Sequence, residues 1–320
     1  MTIYAGIDIA KKNLDVALPE EKKTKRFAND VKGIEACIQS LQEAKVDVVV
    51  VEATGGYERE LCEALSTSQV GYAVVIPNRV RYFAKGLGLN AKTDAIDAKL
   101  LLKYGQTREL QKQIPLSDTE TDLRSLSERR AQLSEMVAQE KNRLARATKR
   151  QQPSIHNHIS WLEEELLNLD EELKKLSAEK EEITQKIDIA DTLPGIGSIT
   201  AMQIIAHLPE LGKIDSKSLA ALVGVAPFNQ DSGNFRGQRR CKGGRVRVRQ
   251  ALFLSTMGSL RCKANNPVKA LYTRLVAAGK KKMVAIVAAM HKQLTILNAM
   301  IRNRAHYDPV LVGFPPLTES

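Results

Sequence analysis

The 320-residue sequence predicts an α/β domain, then an antiparallel coiled coil, then a mainly α-helical C-terminal domain. Three observations carry this prediction. Short β-rich runs alternate with helical spacing in the first third, apolar residues recur at three- and four-residue intervals in the middle, and acidic residues vanish from most of the last third. The expected boundaries are 1–112, 113–190 and 191–305, with an irregular tail over 306–320.

The first domain begins with three short β-rich runs, after which strands alternate with helices. Its fourth run, VDVVVVEAT, is typical of a strand buried on both faces because it contains no polar alternation. Such an order predicts a mixed sheet. The expected strands are 3–8, 13–18, 24–28, 46–54 and 70–76, and the expected helices are 31–44, 57–68, 78–87 and 94–105.

The middle segment opens with Ser117 and Glu120, spaced as a capping box that satisfies backbone N–H groups at a helix start. Apolar heptads follow, interrupted at Arg130, Glu140 and Lys180, and Pro153 divides them into two runs. The pattern predicts two helices joined at Pro153 into a projecting hairpin. Its narrow apolar seam can pair with itself or with another subunit, and it favours a partner.

The charge of the chain indicates a polyanionic partner. The net charge is +11 and the isoelectric point about 9.4, although a merely basic soluble protein explains these values equally well. Between Asp231 and Asp308 there are 17 Lys and Arg residues and no acidic one. The start of the chain does not resemble a secretion signal, and no apolar run reaches the roughly 18 residues of a membrane span. A cytoplasmic protein with no membrane partner is expected.

Four carboxylates form the first candidate site. Asp8 ends the first strand, Glu52 ends the valine-rich strand, and Asp94 and Asp97 share one face of a helix. Hard cations such as Mg²⁺ prefer oxygen ligands, and two such ions can clamp the attacking and leaving oxygens of a phosphodiester. Singly, each residue favours a structural explanation: Asp8 can be a turn or cap residue and Asp94 a first-turn acid. Glu52 is harder to explain in this way, because an unpaired buried carboxylate is costly. Together they predict a magnesium site.

Glycines in the turn PGIG, residues 194–197, form a second candidate site. The turn opens a helix as in helix-hairpin-helix modules, so Gly195 and Gly197 would let backbone N–H groups approach a DNA phosphate. A plain turn between helices explains the same residues nearly as well.

The third candidate site is the segment 231–252, which is rich in glycine and arginine. Ser232 precedes a glycine, so its hydroxyl is expected to be exposed and able to attack a phosphodiester. Composition alone favours the simpler interpretation, a serine that begins a turn. The basic side chains predicted to bind phosphates are Arg236, Arg239, Arg240, Lys242 and Arg245.

Short motifs along nearly the whole chain resemble those of the DEDD-type insertion-sequence transposases of the IS110 family, which includes the Piv-type DNA invertases. Val248 stands where leucine is usual, and 239–244 is unusually basic. The motifs are GID at 6–8, EATGGY at 52–57, KTDAIDAKLLL at 92–102, LPGIG at 193–197, LVGVAPF at 222–228, DSG at 231–233 and K-x-G-x-x-x-V-R-x-x-L at 242–252.

The resemblance implies an RNase H-like (RuvC-like) first domain. Its acidic tetrad would be Asp8, Glu52, Asp94 and Asp97, which would hold Mg²⁺, and Ser232 would be the catalytic serine that forms a transient phosphoserine link. It also implies double-stranded donor and target DNA, a structured non-coding guide RNA, and a tetramer whose active sites combine two subunits. The setting would be the nucleoid of a prokaryotic cytoplasm.

Two other interpretations of the residues stay open. A metal-only nuclease or junction resolvase would use water in place of the serine. A non-enzymatic architectural protein that binds DNA or RNA would keep its carboxylates for structural reasons.

Overall fold

The chain divides into two units, Met1–Pro115 and Leu116–Ser320. The computed structural model describes residues 2–54, 56–88, 94–107, 110, 117–227, 231–232, 235–236, 240–241, 243–263 and 266–309. Of residues 94, 95, 231, 232, 235 and 236, it describes the backbone alone. The domain boundaries expected from the sequence stay a prediction.

A five-stranded sheet forms the centre of the first unit, in the order β3-β2-β1-β4-β5. β1, β2 and β3 form an antiparallel meander, and β4 and β5 run parallel to β1. The predicted mixed sheet is therefore confirmed. The elements are β1 (Tyr4–Ile9), β2 (Asn13–Ala17), β3 (Lys25–Ala28), α1 (Val31–Glu43), β4 (Val48–Glu52), α2 (Arg59–Thr67), β5 (Gly71–Val75), α3 (Pro77–Gly86) and α4 (Asp94–Gln106).

The valine run explains why helices cover both sides of this sheet. All four valines of β4 are buried, and successive side chains of a strand point to opposite faces. Val49 and Val51 pack into the core that includes Ile34 of α1, whereas Val50 packs with Leu101 of α4. β4 is therefore buried on both faces, as its sequence predicts.

Two long helices open the second unit, α5 (Asp118–Leu144) and α6 (Gln152–Ala178). Their contacts run in opposite directions along the two helices, because Arg130 binds Asp170 and Lys141 binds Glu163. The pair is therefore antiparallel. Its classification as a coiled coil stays a prediction.

The ends of these helices confirm one local prediction and correct two. Ser117 caps α5, and the side chain of Glu120 bonds back to the Ser117 N–H, which completes the predicted capping box. Pro153 does not join the helices, because it lies in the first turn of α6, where its missing N–H breaks no helical bond. The heptads do not continue in one helix either, because α6 ends at Ala178 and a new helix begins after Lys180.

The remaining helices enclose one apolar core, to which α7, α8, α9, α10 and α12 all contribute. α12 is long and apolar enough to cross a membrane by length and composition, but 56% of its apolar window is buried in this core. Packing within the protein thus accounts for its hydrophobicity. The elements are α7 (Glu181–Asp191), α8 (Ser198–His207), α9 (Ser216–Val223), β6 (Asp231–Ser232), β7 (Phe235–Arg236), α10 (Val246–Arg261), α11 (Pro267–Ala277) and α12 (Lys282–Asn303).

Candidate active site

Asp8 and Glu52 lie side by side where two neighbouring parallel strands end. β1 and β4 pair with Ile7 opposite Val51, so the next pair in the register is Asp8 and Glu52. Paired residues of adjacent strands share a face of the sheet and lie roughly 5 Å apart. The two carboxylates are therefore neighbours, and both side chains are partly buried.

α4 crosses that face of the sheet antiparallel to β1. A Cβ atom added to Gly6 would lie 2.2 Å from the carbonyl oxygen of Ala98, so the strand and helix backbones touch there. Seven residues further along the helix, a Cβ atom on Gly105 would lie 2.9 Å from the ring of Tyr4. Later residues of α4 therefore contact earlier residues of β1. The first turn of α4 accordingly lies towards the C-terminal end of that strand.

The two acidic residues of α4 belong to this first turn. Asp97 immediately precedes the residue that touches Gly6, and Asp94 lies about one turn earlier. Topology thus brings Asp8, Glu52, Asp97 and the backbone of Asp94 to one end of one sheet face. Among the side chains that the structure describes, which exclude that of Asp94, no three His, Cys, Asp or Glu groups gather closely enough to hold a metal ion.

A fifth acidic residue, Asp15, extends this row and was missed by the sequence analysis. Asp15 lies opposite Asp8 in the β1–β2 register, and Arg26 lies opposite Asp15 in the β2–β3 register. Asp15 is only 3% exposed, and two hydrogen bonds of 3.0 Å join its oxygens to the Arg26 guanidinium. Like charges directly opposite each other on adjacent strands repel, and this ion pair offsets that repulsion. In the sequence, Asp15 stands between the apolar residues Leu14 and Val16, as a strand residue on the opposite face does. Nothing in that pattern identifies Arg26 as its partner.

Glu58 organises the loop that follows Glu52 and was also missed. One of its carboxylate oxygens accepts hydrogen bonds from the Thr54 hydroxyl at 2.6 Å, the Gly56 N–H at 2.9 Å and the Thr54 N–H at 3.2 Å. Partial burial raises the pKa of Glu58, but these hydrogen bonds outweigh burial and leave the pKa below its ordinary value. The ionised carboxylate thus holds together the loop after the β4 acid.

Ser232 lies in a two-residue strand, at the end of the β6–β7 hairpin. Asp231 pairs with Arg236 and Ser232 with Phe235, so Ser232 is the last paired residue before the hairpin turn. The backbone of this predicted nucleophile is thereby placed, whereas its side chain is outside the described part of the structure.

The segment that carries Ser232 is closed at its base by two glycines. A Cβ atom on Gly244 would lie 2.4 Å from the backbone nitrogen of Gly224, so the chain entering and the chain leaving the segment touch. The Arg245 N–H donates to the Leu222 carbonyl oxygen, and the Arg249 guanidinium donates to the Gly243 carbonyl oxygen. These contacts anchor both ends of the segment to the helical core.

Two family models match the parts of the chain that contain these residues. Residues 5–153 match the DEDD transposase model of IS110, and residues 187–273 match the model described as "Transposase IS116/IS110/IS902 family". The chain belongs to this transposase family. It is a DNA-cutting and DNA-rejoining enzyme, and transposases of the DEDD type typically use a divalent metal. The two matches include the four acidic residues and Ser232.

Relatives of the transposase include two inverting proteins. The chain is 27% identical over 315 residues to the "Pilin gene-inverting protein" of Moraxella bovis and to that of Moraxella lacunata, covering 95% of this chain and 97% of each relative. It is also 28% identical over 159 residues to the "Insertion element IS900 uncharacterized 42 kDa protein" of Mycobacterium paratuberculosis, covering 47% of this chain and 39% of that protein.

The basic residues predicted to bind DNA have different surroundings in the transposase. Arg245 makes two hydrogen bonds of 2.6 Å to Glu210 and one of 2.9 Å to the His207 carbonyl oxygen, so its guanidinium has an internal structural role. Arg240 is exposed. The side chain of Arg236 and all of Arg239 and Lys242 lie outside the described residues. Phosphate binding by these five side chains stays a prediction.

Packing explains one of the two glycines in the PGIG turn. A Cβ atom on Gly195 would lie 2.3 Å from the backbone nitrogen of Ser259, so Gly195 lets the turn touch α10. The buried Gln293 side chain donates to the Pro194 carbonyl oxygen at 3.4 Å, which ties the turn to α12 as well. Gly197, in contrast, is exposed and caps the start of α8. Of the two, Gly197 is the better candidate for a phosphate contact.

Proposed function

We propose that the transposase cuts and rejoins double-stranded DNA with Ser232 as the nucleophile, assisted by Mg²⁺ at Asp8, Glu52, Asp94 and Asp97. The β1–β4 register supports this proposal, because Asp8 and Glu52 end neighbouring strands side by side, and the first turn of α4, to which Asp94 and Asp97 belong, lies at the same end of the sheet face. A meander of three antiparallel strands, followed by two strands parallel to the first, is also the arrangement of RNase H-like domains.

The donor set fits magnesium. The four groups are all carboxylates, which are the hard oxygen ligands that Mg²⁺ prefers. Three acidic residues, Glu52, Asp8 and Asp15, occupy adjacent register positions, and Arg26 binds Asp15. A bound cation would lower the repulsion between neighbouring carboxylates. When bound, the metal would supply positive charge to the phosphate oxygens.

The chemical step is a transesterification. The Ser232 Oγ attacks the phosphorus of the scissile phosphodiester and gives its proton to water. A P–Oγ bond forms while the bond from phosphorus to the leaving deoxyribose oxygen breaks, and that oxygen takes up a proton. Rejoining reverses these steps with the hydroxyl of another strand, so the energy of the phosphodiester is conserved in the phosphoserine link.

Sequence choice would come from a guide RNA, and the working assembly would be a tetramer. Both follow from the family resemblance. The large acid-free stretch of the second unit supports RNA and DNA backbone binding, because such contacts need positive charge and little base readout. The relatives named as gene-inverting proteins support site-specific recombination in particular.

Covalent trapping tests this proposal. Purified transposase is incubated with Mg²⁺, a plasmid carrying its gene with flanking DNA, and RNA transcribed from those flanks. We expect a denaturation-resistant protein–DNA adduct that Ser232→Ala abolishes and that Asp8→Asn reduces by at least tenfold. Cleaved DNA without an adduct would indicate that water, and not Ser232, is the nucleophile. Full activity of the Asp8→Asn variant would contradict the metal site.

A further inference from the structure

The end of the α5–α6 hairpin is strongly basic and lies far along the chain from the Ser232 segment. We call residues 141–161 the hairpin tip. It contains no Asp or Glu, and its five basic side chains are all exposed. Lys141 binds Glu163 and Arg143 binds Glu140, whereas within the described chain no carboxylate pairs with the other three. The five are Lys141, Arg143, Arg146, Lys149 and Arg150.

A groove separates the two helix ends at this tip. Its volume is about 940 Å³, and Arg143, Arg146, Asn142, Gln151 and Ser154 supply polar groups to its lining. The connecting loop is ordered, because the Gln151 side chain accepts hydrogen bonds from both the N–H and the hydroxyl of Thr148 at 3.1 Å. A pre-ordered basic groove can follow a phosphate backbone at little entropic cost.

An aromatic platform continues the groove along α6. Ser154, His158 and Trp161 are spaced by four and three residues, so they lie on one stripe of the helix. The His158 and Trp161 rings stack with centroids 6.2 Å apart at 19°, and Trp161 remains 51% exposed. An exposed tryptophan on the same helix as the basic groove offers a face on which an unpaired base can stack.

A buried carboxylate holds this surface in place. Glu140 is 7% exposed, and its Oε1 lies 2.5 Å from an Arg143 guanidinium nitrogen and 3.3 Å from His158 Nδ1. One carboxylate thus orients both the arginine of the groove and the ring that supports Trp161. In the sequence, Glu140 is visible only as an interruption of the heptads.

We propose that the hairpin tip is a second nucleic-acid-binding surface, which binds a single-stranded stretch by its phosphates in the groove and stacks an unpaired base on Trp161. The proposal goes beyond the chemistry at Ser232 and does not depend on it. Free basic side chains, a groove lined by Arg143 and Arg146, and an exposed aromatic stripe are three separate observations that fit the same ligand.

Intrinsic fluorescence tests this directly, because Trp161 is the only tryptophan in the chain. Full-length transposase is titrated with a single-stranded oligonucleotide, as DNA and as RNA of the same sequence, and with the DNA duplex. We expect strong quenching by the single strands and weak quenching by the duplex. A preference for RNA would assign the surface to RNA, whereas equal binding would assign it to the phosphates and bases that both share.

Matched variants sharpen the test. Lys149→Glu with Arg150→Glu should weaken the quenching interaction at least tenfold and lower its salt dependence. Lys174→Glu with Lys175→Glu makes the same charge change at exposed positions near the other end of α6. This control should change the quenching interaction little. Trp161→Ala should weaken binding roughly tenfold. Because this variant has no tryptophan, its binding is measured by the fluorescence anisotropy of a labelled single strand.

Two outcomes would overturn the proposal. One is unchanged Trp161 emission when anisotropy shows that the protein is saturated with the strand. The other is equal quenching by the duplex, which has no unpaired base to stack. Ser232→Ala is expected to keep full quenching, so a failure of the serine mechanism would appear in covalent trapping alone.

Discussion

The backbones of Gly6 and Ala98 are in direct contact, since a Cβ atom at Gly6 would lie 2.2 Å from the Ala98 carbonyl oxygen. This contact lets the backbone of α4 pack directly against the backbone of β1. It also determines where the first turn of α4 lies relative to Asp8. The position of the candidate metal site therefore depends on the absence of one side chain.

Gly6→Ala should destabilise the first unit by about 1–3 kcal/mol, because the added methyl group meets backbone atoms that cannot rotate away. Hydrogen exchange of the β1 and α4 amides during guanidinium denaturation would measure this. Gly86→Ala is the control, since a Cβ atom there meets nothing within 4 Å, and it should be neutral or slightly stabilising. Equal exchange in the two variants would contradict the close packing.

Gly224→Ala should open the base of the Ser232 segment. Gly224 has φ +82°, and a Cβ atom there would lie 2.1 Å from the Gly243 carbonyl oxygen, so the change adds a clash to backbone strain. Gly279 has φ +77° with nothing near its Cβ position, so Gly279→Ala introduces the strain alone, about 1–2 kcal/mol. We expect Gly224→Ala to cost more stability and to lose strand cleavage, measured by thermal unfolding and plasmid nicking. Wild-type cleavage by Gly224→Ala would show that the closed base is dispensable.

The ion pair between Arg130 and Asp170 should determine how α5 and α6 align. The two side chains are each 20% exposed and make hydrogen bonds of 2.5 and 3.1 Å, so Arg130→Met leaves a largely buried carboxylate unpaired and should cost about 1–3 kcal/mol. Adding Asp170→Leu should restore most of that stability, since two apolar side chains then replace the pair. Urea denaturation of both variants measures the difference.

The exposed ion pair of the same two helices is the control. Lys141 and Glu163 are 2.7 Å apart with side chains 56% and 49% exposed, so Lys141→Met should change stability by less than about 1 kcal/mol. If Lys141→Met lowers the free energy of unfolding as much as Arg130→Met does, burial does not explain the contribution of the Arg130–Asp170 pair to stability.

His207 should make the second unit less stable in mild acid. Burial, together with the positive charge of Arg124, lowers the pKa of His207 to about 4. The unfolded chain takes up this proton near pH 6.5 while the folded chain does not, so stability falls as the pH drops from about 6.5 to about 4. The full difference corresponds to about 3 kcal/mol.

Thermal unfolding between pH 7 and pH 4.5 measures this effect. His207→Leu should remove most of the pH dependence, whatever its effect on stability at neutral pH. His306→Leu changes an exposed histidine and should keep the wild-type profile. Parallel profiles for the wild type and the His207→Leu variant would mean that another group titrates in this range.

Local patterns made most elements predictable. Strand and helix positions in the first unit, burial of β4 and the Ser117 capping box depend on residues within a few positions of one another, and each agrees with the structure. The helix breaks at 145–151 and Lys180 were placed less well. Heptad spacing records which face is apolar, and a short interruption of the backbone leaves that spacing almost unchanged.

By itself, the sequence determined the composition of the site: strand-end acids, a serine beside a glycine, and a basic stretch between Asp231 and Asp308 that contains no acidic residue. Tertiary structure decided which residues became neighbours. It paired Asp15 with Arg26, committed Arg245 to Glu210 and joined Glu140 to His158, contacts between residues 11, 35 and 18 positions apart. Such contacts depend on strand register and helix packing. A sequence pattern records only which face a residue occupies, and packing decides which side chain meets it there.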